Sequence, residues 1–230
     1  MTATRDQRPA QQLLSALPTA SISDALDRLS LPGSLHGIAP LRPGQRACGP
    51  AYTVAYEPVD EHGGTVGDFL DDVPAGGIVV IDNQARTDCT VWGGIMTRVA
   101  AATGIAATVI NGVCRDVETI LSTDYPMWSA GRFMRTGKDR VRVAAVQQPL
   151  TIDRVTIRPG DLVCADEDGA LVVPADRAEE VAELAQRIEA VENAIVAAVR
   201  SGLTLTQARA AHGYHTLQSA DQTTSREETR

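Results

Sequence analysis

An arginine and an aspartate stand side by side, Arg115-Asp116, in the run "ATVINGVCRDVETI" over residues 107–120. The run passes from apolar to charged within a few residues. Its pattern predicts a strand ending at Asn111-Gly112 and a helix starting near the charged pair. Open α/β sheets hold ligands at the carboxyl ends of their strands. Adjacent residues at such a junction point in different directions, so they could serve one ligand in two roles. A guanidinium offers a planar fork to a carboxylate or carbonyl oxygen, and a carboxylate can hold a hard cation. The plainer alternative makes Asp116 a charge at a helix N-terminus and Arg115 a surface ion-pair partner. The residues alone leave both readings open.

A second feature is "WGGIM", residues 92–96. Two glycines inside a helix cost about 1 kcal/mol each relative to alanine. They make sense where backbone N–H groups at a helix start must come close to an anion. Close packing of helix on sheet is the plainer explanation, and the residues alone favour it. The segment is neither GxGxxG nor a P-loop, since no GK[ST] follows.

Other candidates are weaker. His212 and His215 have no third ligand in view, so solvated histidines are expected. Asp166, Glu167 and Asp168 suit a hairpin turn, and Asp71-Asp72 a solvated face. Ser21 and Ser23 lie outside any GxSxG elbow, and no histidine is placed for a serine or cysteine triad. Cys114 reads as a packed small residue.

The elements that position these groups follow from the patterning. "PTASISDALDRL" predicts a helix with Thr19 or Ser21 as cap, and residues 31–50 read as loop and turns. Strands are expected at "AYTVAYE", "AGGIVVID", "IAATVING" and "YPMWSAG". Helices are expected at "GGTVGDFLDDV", at "TVWGGIMTRVAAATG" (closed by Gly104) and at "CRDVETILST". Strands alternating with helices argue for βα units and a largely parallel sheet. Beyond residue 140 come strand-like runs divided by turns, then one long amphipathic helix over 175–202, closed by Gly202. The organisation expected is an N-terminal segment 1–18, one domain 19–203 and a helix or tail 204–230, the last twelve residues having a disordered composition.

The chain has 230 residues, 43% of them hydrophobic, which suits one well-filled core. Aromatics are only 3%, so aliphatic side chains must fill it. The net charge of −8 with no basic block argues against nucleic acid as partner. Cys48, Cys89, Cys114 and Cys164 form no CxxC pair, so a reducing, cytoplasmic setting is expected. The N-terminus lacks the apolar core of a signal peptide. No apolar run reaches the ~18 residues that would span a membrane, so no membrane partner is expected.

Taken in order, "GPAYTV", "GGIVVIDN", "WGGIMTRVAAATGIAATVINGVCRD" and "PGDLVCADEDGALVVP", followed by a long helix, resemble the regulator of ribonuclease activity A (RraA) family. That family includes the 4-hydroxy-4-methyl-2-oxoglutarate/4-carboxy-4-hydroxy-2-oxoadipate aldolases. The likeness spans residues 19 to 203. It implies an α/β fold of swivelling β/β/α type with three layers: a parallel α/β part, antiparallel strands and a long C-terminal helix. It also implies a homo-oligomer, trimer or hexamer, with an active site between subunits. By resemblance Arg115 binds the pyruvyl carbonyl, Asp116 holds a divalent metal (Mg²⁺ or Mn²⁺), and backbone N–H groups of Gly93, Gly94, Ile95 and Met96 hold the pyruvyl carboxylate of a small 2-oxo acid. A catalytic glutamate from the C-terminal region of a neighbouring subunit maps onto Glu192, with Glu189 next.

The implied reaction is retro-aldol cleavage of a 4-hydroxy-2-oxo acid to pyruvate, or oxaloacetate decarboxylation. Either leaves the enolate of pyruvate, a charge that calls for a Lewis acid and a fixed cation. Lys138, the only lysine, lies in a different segment, so a Schiff base is not expected. One departure stands out: characterised aldolases carry an aspartate where this chain has Gly94. A non-catalytic regulator of a ribonuclease, or a related lyase with another substrate, are the other readings. The methyltransferase assignment once attached to such proteins has no supporting nucleotide-binding segment here.

Overall fold

The computed structural model describes residues 7–59 and 68–214. The chain divides into two units, Met1–Gly33 with Arg177–Arg230, and Ser34–Asp176. The first begins with helices α1 (Arg8–Ser15) and α2 (Thr19–Arg28). Pro9 sits in the first turn of α1, where its missing N–H costs nothing. Neither Thr19 nor Ser21 caps α2: Pro18 holds the cap position, and both side chains are buried inside the helix.

The second unit opens with short strands β1 (Ser34–Leu35) and β2 (Ala39–Pro40), inside the stretch expected to be all loop. Next come β3 (Ala47–Pro58), a 3₁₀ turn at Phe69–Asp72, and β4 (Ile78–Thr90). The turn stands where a short helix was expected over residues 63–73; residues 63–67 of that stretch lie outside the described residues. Two βα units follow: α3 (Gly94–Thr103) leads to β5 (Ala107–Cys114), and α4 (Val117–Ser122) to β6 (Met127–Arg132). Strand β7 (Val141–Val146), a hairpin of β8 (Leu150–Ile152) and β9 (Val155–Ile157), and a second hairpin of β10 (Leu162–Asp166) and β11 (Gly169–Val173) complete the unit. The long helix α5 (Ala178–Arg200) and α6 (Leu205–Ala211) return to the first unit. There α1 and α2 pack on α5, whose Val181, Leu184, Ala185 and Ile188 recur at helical spacing and are buried. α6 is secured by a capping box between Thr204 and Gln207.

The fold is mixed α/β. In the main sheet the order is β1-β11-β10-β3-β4-β5-β6-β2, with β7 also on β3. The centre, β3 to β6, is parallel; the other pairings are antiparallel. Ile78–Ile81 and Ala107–Ile110 are buried throughout, as strands covered on both faces require. Val79, Ile81 and Ile110 enter one apolar cluster with Trp92, Ile120 and Tyr125; Ile78, Val80 and Val109 enter a second.

The strand thought to end at Asn111-Gly112 continues to Cys114. Its partner β4 bulges there, with Gln84 and Ala85 in the left-handed region, so that Arg86 pairs with Gly112 and Thr90 with Val113. Gly112 has φ +151°, and a Cβ on it would meet the Cβ of Asn83 at 3.1 Å. The Asn111 side chain donates to Asp82 Oδ1 at 2.8 Å, tying the bulge. The bulge brings the end of β4, and the glycines beyond it, level with Arg115.

Candidate active site at the start of α3

Three local decisions build the site. First, β5 runs on to Cys114, whose side chain is fully buried, with burial the main force raising its thiol pKa; it is a packing residue, as expected. Arg115 follows, and its N–H donates to Trp92 O at 3.0 Å, locking the Arg-Asp turn to the loop after β4.

Second, Asp116 adopts φ 55°, ψ 42° at the N-cap of α4, a left-handed conformation that aspartate tolerates better than most residues. Its carboxylate makes no capping bond to its own helix. It reaches across instead and accepts the N–H of Gly94 at 2.7 Å, at the start of α3. The helix-charge reading of Asp116 is therefore right in kind but applies to the neighbouring helix.

Third, the two glycines give those side chains room. A Cβ on Gly93 would meet Asp116 Oδ2 at 2.8 Å and Arg115 Nε at 3.1 Å; one on Gly94 would meet Asp116 Oδ2 at 3.3 Å. Gly93 has φ −151°, open to any residue, so contact space and not backbone freedom demands glycine. The close approach is to Arg115 and Asp116, not to the sheet.

Arg115 Nε lies 3.8 Å from Asp116 Oδ2, and the two side chains are 39% and 46% exposed. Such an open pair contributes little to stability. Both side chains, with Gly93, Gly94, Ile95 and Met96, line one cavity of about 400 Å³, a size that suits small-molecule sites. Ile95 is 80% exposed, whereas Met96 packs partly against the core. The first intrahelical bond of α3 is Thr97 N–H to Gly93 O. The N–H groups of Gly94, Ile95 and Met96 precede it, so the α3 helix does not satisfy them internally. Gly94 spends its own on Asp116.

Sequence reasoning missed the frame behind this cavity. Trp92 is buried, stacked on Tyr125 at 6.0 Å, and its Nε1–H donates to Thr97 Oγ1 at 3.0 Å. Thr97 Oγ1–H donates to Gly93 O, and Thr90 bonds both the N–H and the carbonyl of Trp92. A tryptophan directly before two glycines, in a chain holding only two, was the available signal. Thr90, Trp92, Thr136 and Asp68 also line the cavity.

The remaining candidates lie elsewhere. Glu189 and Glu192 are on α5, in the first unit. Glu189 accepts Ser21 Oγ–H at 2.5 Å and the Asn193 side chain at 3.0 Å. Glu192 is half-buried; burial first, then the Asp24 and Glu189 carboxylates, push its carboxyl above the usual value. Asp166 accepts the Asp168 N–H in the β10–β11 turn, and Asp71-Asp72 are exposed. His212 caps α6, and His215 lies outside the described residues. Among the described residues no group of three His, Cys, Asp or Glu side chains could hold a metal, and no helix is long and apolar enough to cross a membrane.

Comparison with known proteins identifies relatives of the chain and of its fold. The chain is 44% identical over 207 residues to protein DlpA of Legionella pneumophila; the match covers 89% of this chain but only 34% of that longer protein. It is 32% identical over 180 residues to a Halalkalibacterium halodurans protein named "Putative 4-hydroxy-4-methyl-2-oxoglutarate aldolase", covering 77% and 82% of the two. A crystal structure of a Pseudomonas syringae pv. tomato protein, described as uncharacterized, superposes with TM-score 0.82 at 47% identity over 88% of this chain and 97% of that one. Streptomyces coelicolor RraAS2, described as an unusual member of the RNase ES inhibitor RraA protein family, superposes with TM-score 0.74 at 27% identity over 80% and 95%. The RraA-like family model, described as Aldolase/RraA, matches residues 19–172, taking in both βα units and the Arg-Asp turn, and the chain belongs to that family.

Proposed function

We propose that this chain is a divalent-metal-dependent pyruvyl lyase. It would cleave a 4-hydroxy-2-oxo acid to pyruvate, decarboxylate oxaloacetate, or do both. The observation that carries the reading is the convergence of Arg115, Asp116 and the glycine start of α3 on one cavity.

The donor set fits one kind of ion. A fully protein-caged metal needs three or four side chains, which the described residues do not assemble. Mg²⁺ or Mn²⁺ keeps several waters and takes one or two carboxylates, and a half-exposed Asp116 with one oxygen anchored by Gly94 suits that demand. When bound, such an ion supplies Lewis-acid polarisation of the 2-oxo acid.

The chain's own residues supply the rest. The N–H groups of Ile95 and Met96 take the substrate carboxylate at the positive end of α3. The Arg115 guanidinium binds the carbonyl oxygen and faces the negative charge that develops there as the C–C bond breaks. Glu192, given by a neighbouring copy in a homotrimer or hexamer, receives the C4 hydroxyl proton; its raised pKa improves it as a base.

Purified chain with Mg²⁺ or Mn²⁺ should release pyruvate from oxaloacetate, and EDTA should stop it. Asp116→Asn keeps an acceptor for Gly94 and tolerates the left-handed backbone, so it should fold while losing metal-dependent turnover. Full activity in that variant overturns the assignment of Asp116. A second reading rests on Gly94. No acidic side chain stands beside Asp116 there, and a chain so altered could act through protein contact with a ribonuclease. No turnover on oxaloacetate or any 4-hydroxy-2-oxo acid favours that reading.

A further inference from the structure

Two cysteines that the proposed chemistry leaves unused face each other across the sheet. β3 and β10 are antiparallel neighbours, and their register sets Cys48 directly opposite Cys164. Opposed residues of an antiparallel pair have Cα atoms about 4.5 or 5.5 Å apart, and disulfides span about 4.4–6.8 Å. The two Sγ atoms are 3.3 Å apart. Closing to the bonded distance of about 2.05 Å asks the sulfurs to approach by a little over ~1 Å. Cys89 and Cys114 are fully buried, and the neighbours of the Cys114 sulfur are Ser129 and the Gly131 carbonyl.

The paired sulfurs sit in unlike surroundings. Cys164 is 3% exposed, whereas Cys48 is partly open to solvent. The hydrogen bond with the Cys164 thiol, helped by the Arg46 guanidinium, holds the Cys48 thiol below its ordinary pKa against the opposing effect of burial. The same contact, and then burial, push Cys164 up. A partly exposed cysteine whose thiol pKa is lowered, beside a buried one whose thiol pKa is raised, matches the division of labour of an attacking and a resolving thiol.

We propose that Cys48 and Cys164 form a thiol oxidation site, at which a small disulfide of the glutathione class closes a reversible bridge between β3 and β10. The Cys48 thiolate attacks one sulfur of the small disulfide. A Cys48–sulfur bond forms, the small S–S bond breaks, and the released thiolate takes up a proton. Cys164 then gives its proton to solvent and attacks Cys48 Sγ. The mixed disulfide breaks and the second small thiol departs. In sum two protein thiols are oxidised and one small disulfide is reduced to two thiols. The bridge joins positions 116 residues apart, so it restricts the unfolded chain strongly.

The test is peptide mapping of the native full chain after equilibration with graded ratios of oxidised to reduced glutathione, acid quenching and alkylation. The expected result is one linked peptide pair containing Cys48 and Cys164, reversed by dithiothreitol, with Cys89 and Cys114 alkylated. The oxidised chain should also melt several degrees higher. Cys164→Ser should stop at a glutathione adduct on Cys48, and Cys48→Ser should leave Cys164 unmodified. The proposal is overturned if Cys48 and Cys164 both remain alkylatable across the series. A lasting Cys48 adduct in the unmutated chain, or linkage only after unfolding, also overturns it. The map of the unmutated chain decides the matter even where a serine variant fails to fold.

Discussion

Replacing Gly93 by alanine separates the site from the fold. The new Cβ would stand 2.8 Å from Asp116 Oδ2 and 3.1 Å from Arg115 Nε, both in side chains and not in backbone. To regain ordinary contact of 3.4 Å or more, Asp116 Oδ2 must retreat by about 0.6 Å. That movement stretches the 2.7 Å bond from Gly94 N–H, and hydrogen bonds to charged groups contribute about 1.5–3 kcal/mol. If the proposed chemistry depends on this geometry, kcat/KM for pyruvate release falls roughly ten- to hundredfold. The fold should suffer little. The extended backbone at Gly93 accepts alanine, and the poorer N-cap costs on the order of 1 kcal/mol, a loss of about 2–4 °C. Gly94→Ala brings milder contacts of 3.3 and 3.4 Å and should cost less than tenfold. The assay is the rate of pyruvate release with Mg²⁺, with Mn²⁺ affinity by titration calorimetry and a thermal melt beside it. Activity within twofold of the parent in Gly93→Ala refutes the reasoning. A melt lowered by more than about 10 °C does so too, since it assigns the glycine to packing.

Thr97→Val should destabilise the chain by about 2 kcal/mol, because it strips the buried Trp92 Nε1–H of its acceptor and Gly93 O of a donor; denaturant unfolding measures this, and a change under 0.5 kcal/mol would refute the frame ascribed to it. Glu192→Gln probes pH. The Glu192 carboxyl is raised in the folded chain, so its contribution to stability is fully present below the unfolded value and is lost as pH rises through the folded one. The variant should therefore gain on the parent in Tm at pH 7 compared with pH 4, and an equal difference at both pH values would rule out the burial and like-charge account.

Much of the architecture could be read from patterning. The βα alternation, Gly104 closing α3 in the left-handed conformation and the long C-terminal helix all follow from local spacing. What escaped reading depends on neighbours distant in sequence. β1 and β2 are two residues each, and they exist because β11 and β6 offer edges, not because Ser34-Leu35 or Ala39-Pro40 favour extended chain. Thr19 and Ser21 look like caps, but their side chains are drawn into the first unit, where Ser21 meets Glu189. Asn111-Gly112 has the composition of a stop signal. Its glycine serves the bulge of β4, and nothing in residues 107–120 reveals a bulge 26 residues upstream. At the site, residue types offered Arg115, Asp116 and the glycines as candidates, and the family resemblance gave them their expected roles. The cross-chain bond from Gly94 to Asp116 and the Trp92–Thr97 frame came only with the packing.

Asp116 is where local preference and site geometry conflict most. A left-handed non-glycine residue costs about 1 kcal/mol, and glycine would remove that cost. Glycine would also remove the carboxylate that caps α3 from the neighbouring βα unit. A charge-assisted bond to a helix N-terminus offsets the strain, since each favourable charge there contributes about 0.3–1 kcal/mol beyond the hydrogen bond itself. The same bond fixes one carboxylate oxygen against a rigid helix, so the direction of the other is set by two elements and not by a free rotor. A strained residue whose side chain is held by a second helix and half-exposed to a cavity has more constraint than a surface cap requires. That surplus is what the proposed metal-holding role of Asp116 would use, and loss of Mn²⁺ binding in Asp116→Asn with the fold kept is the result that role requires.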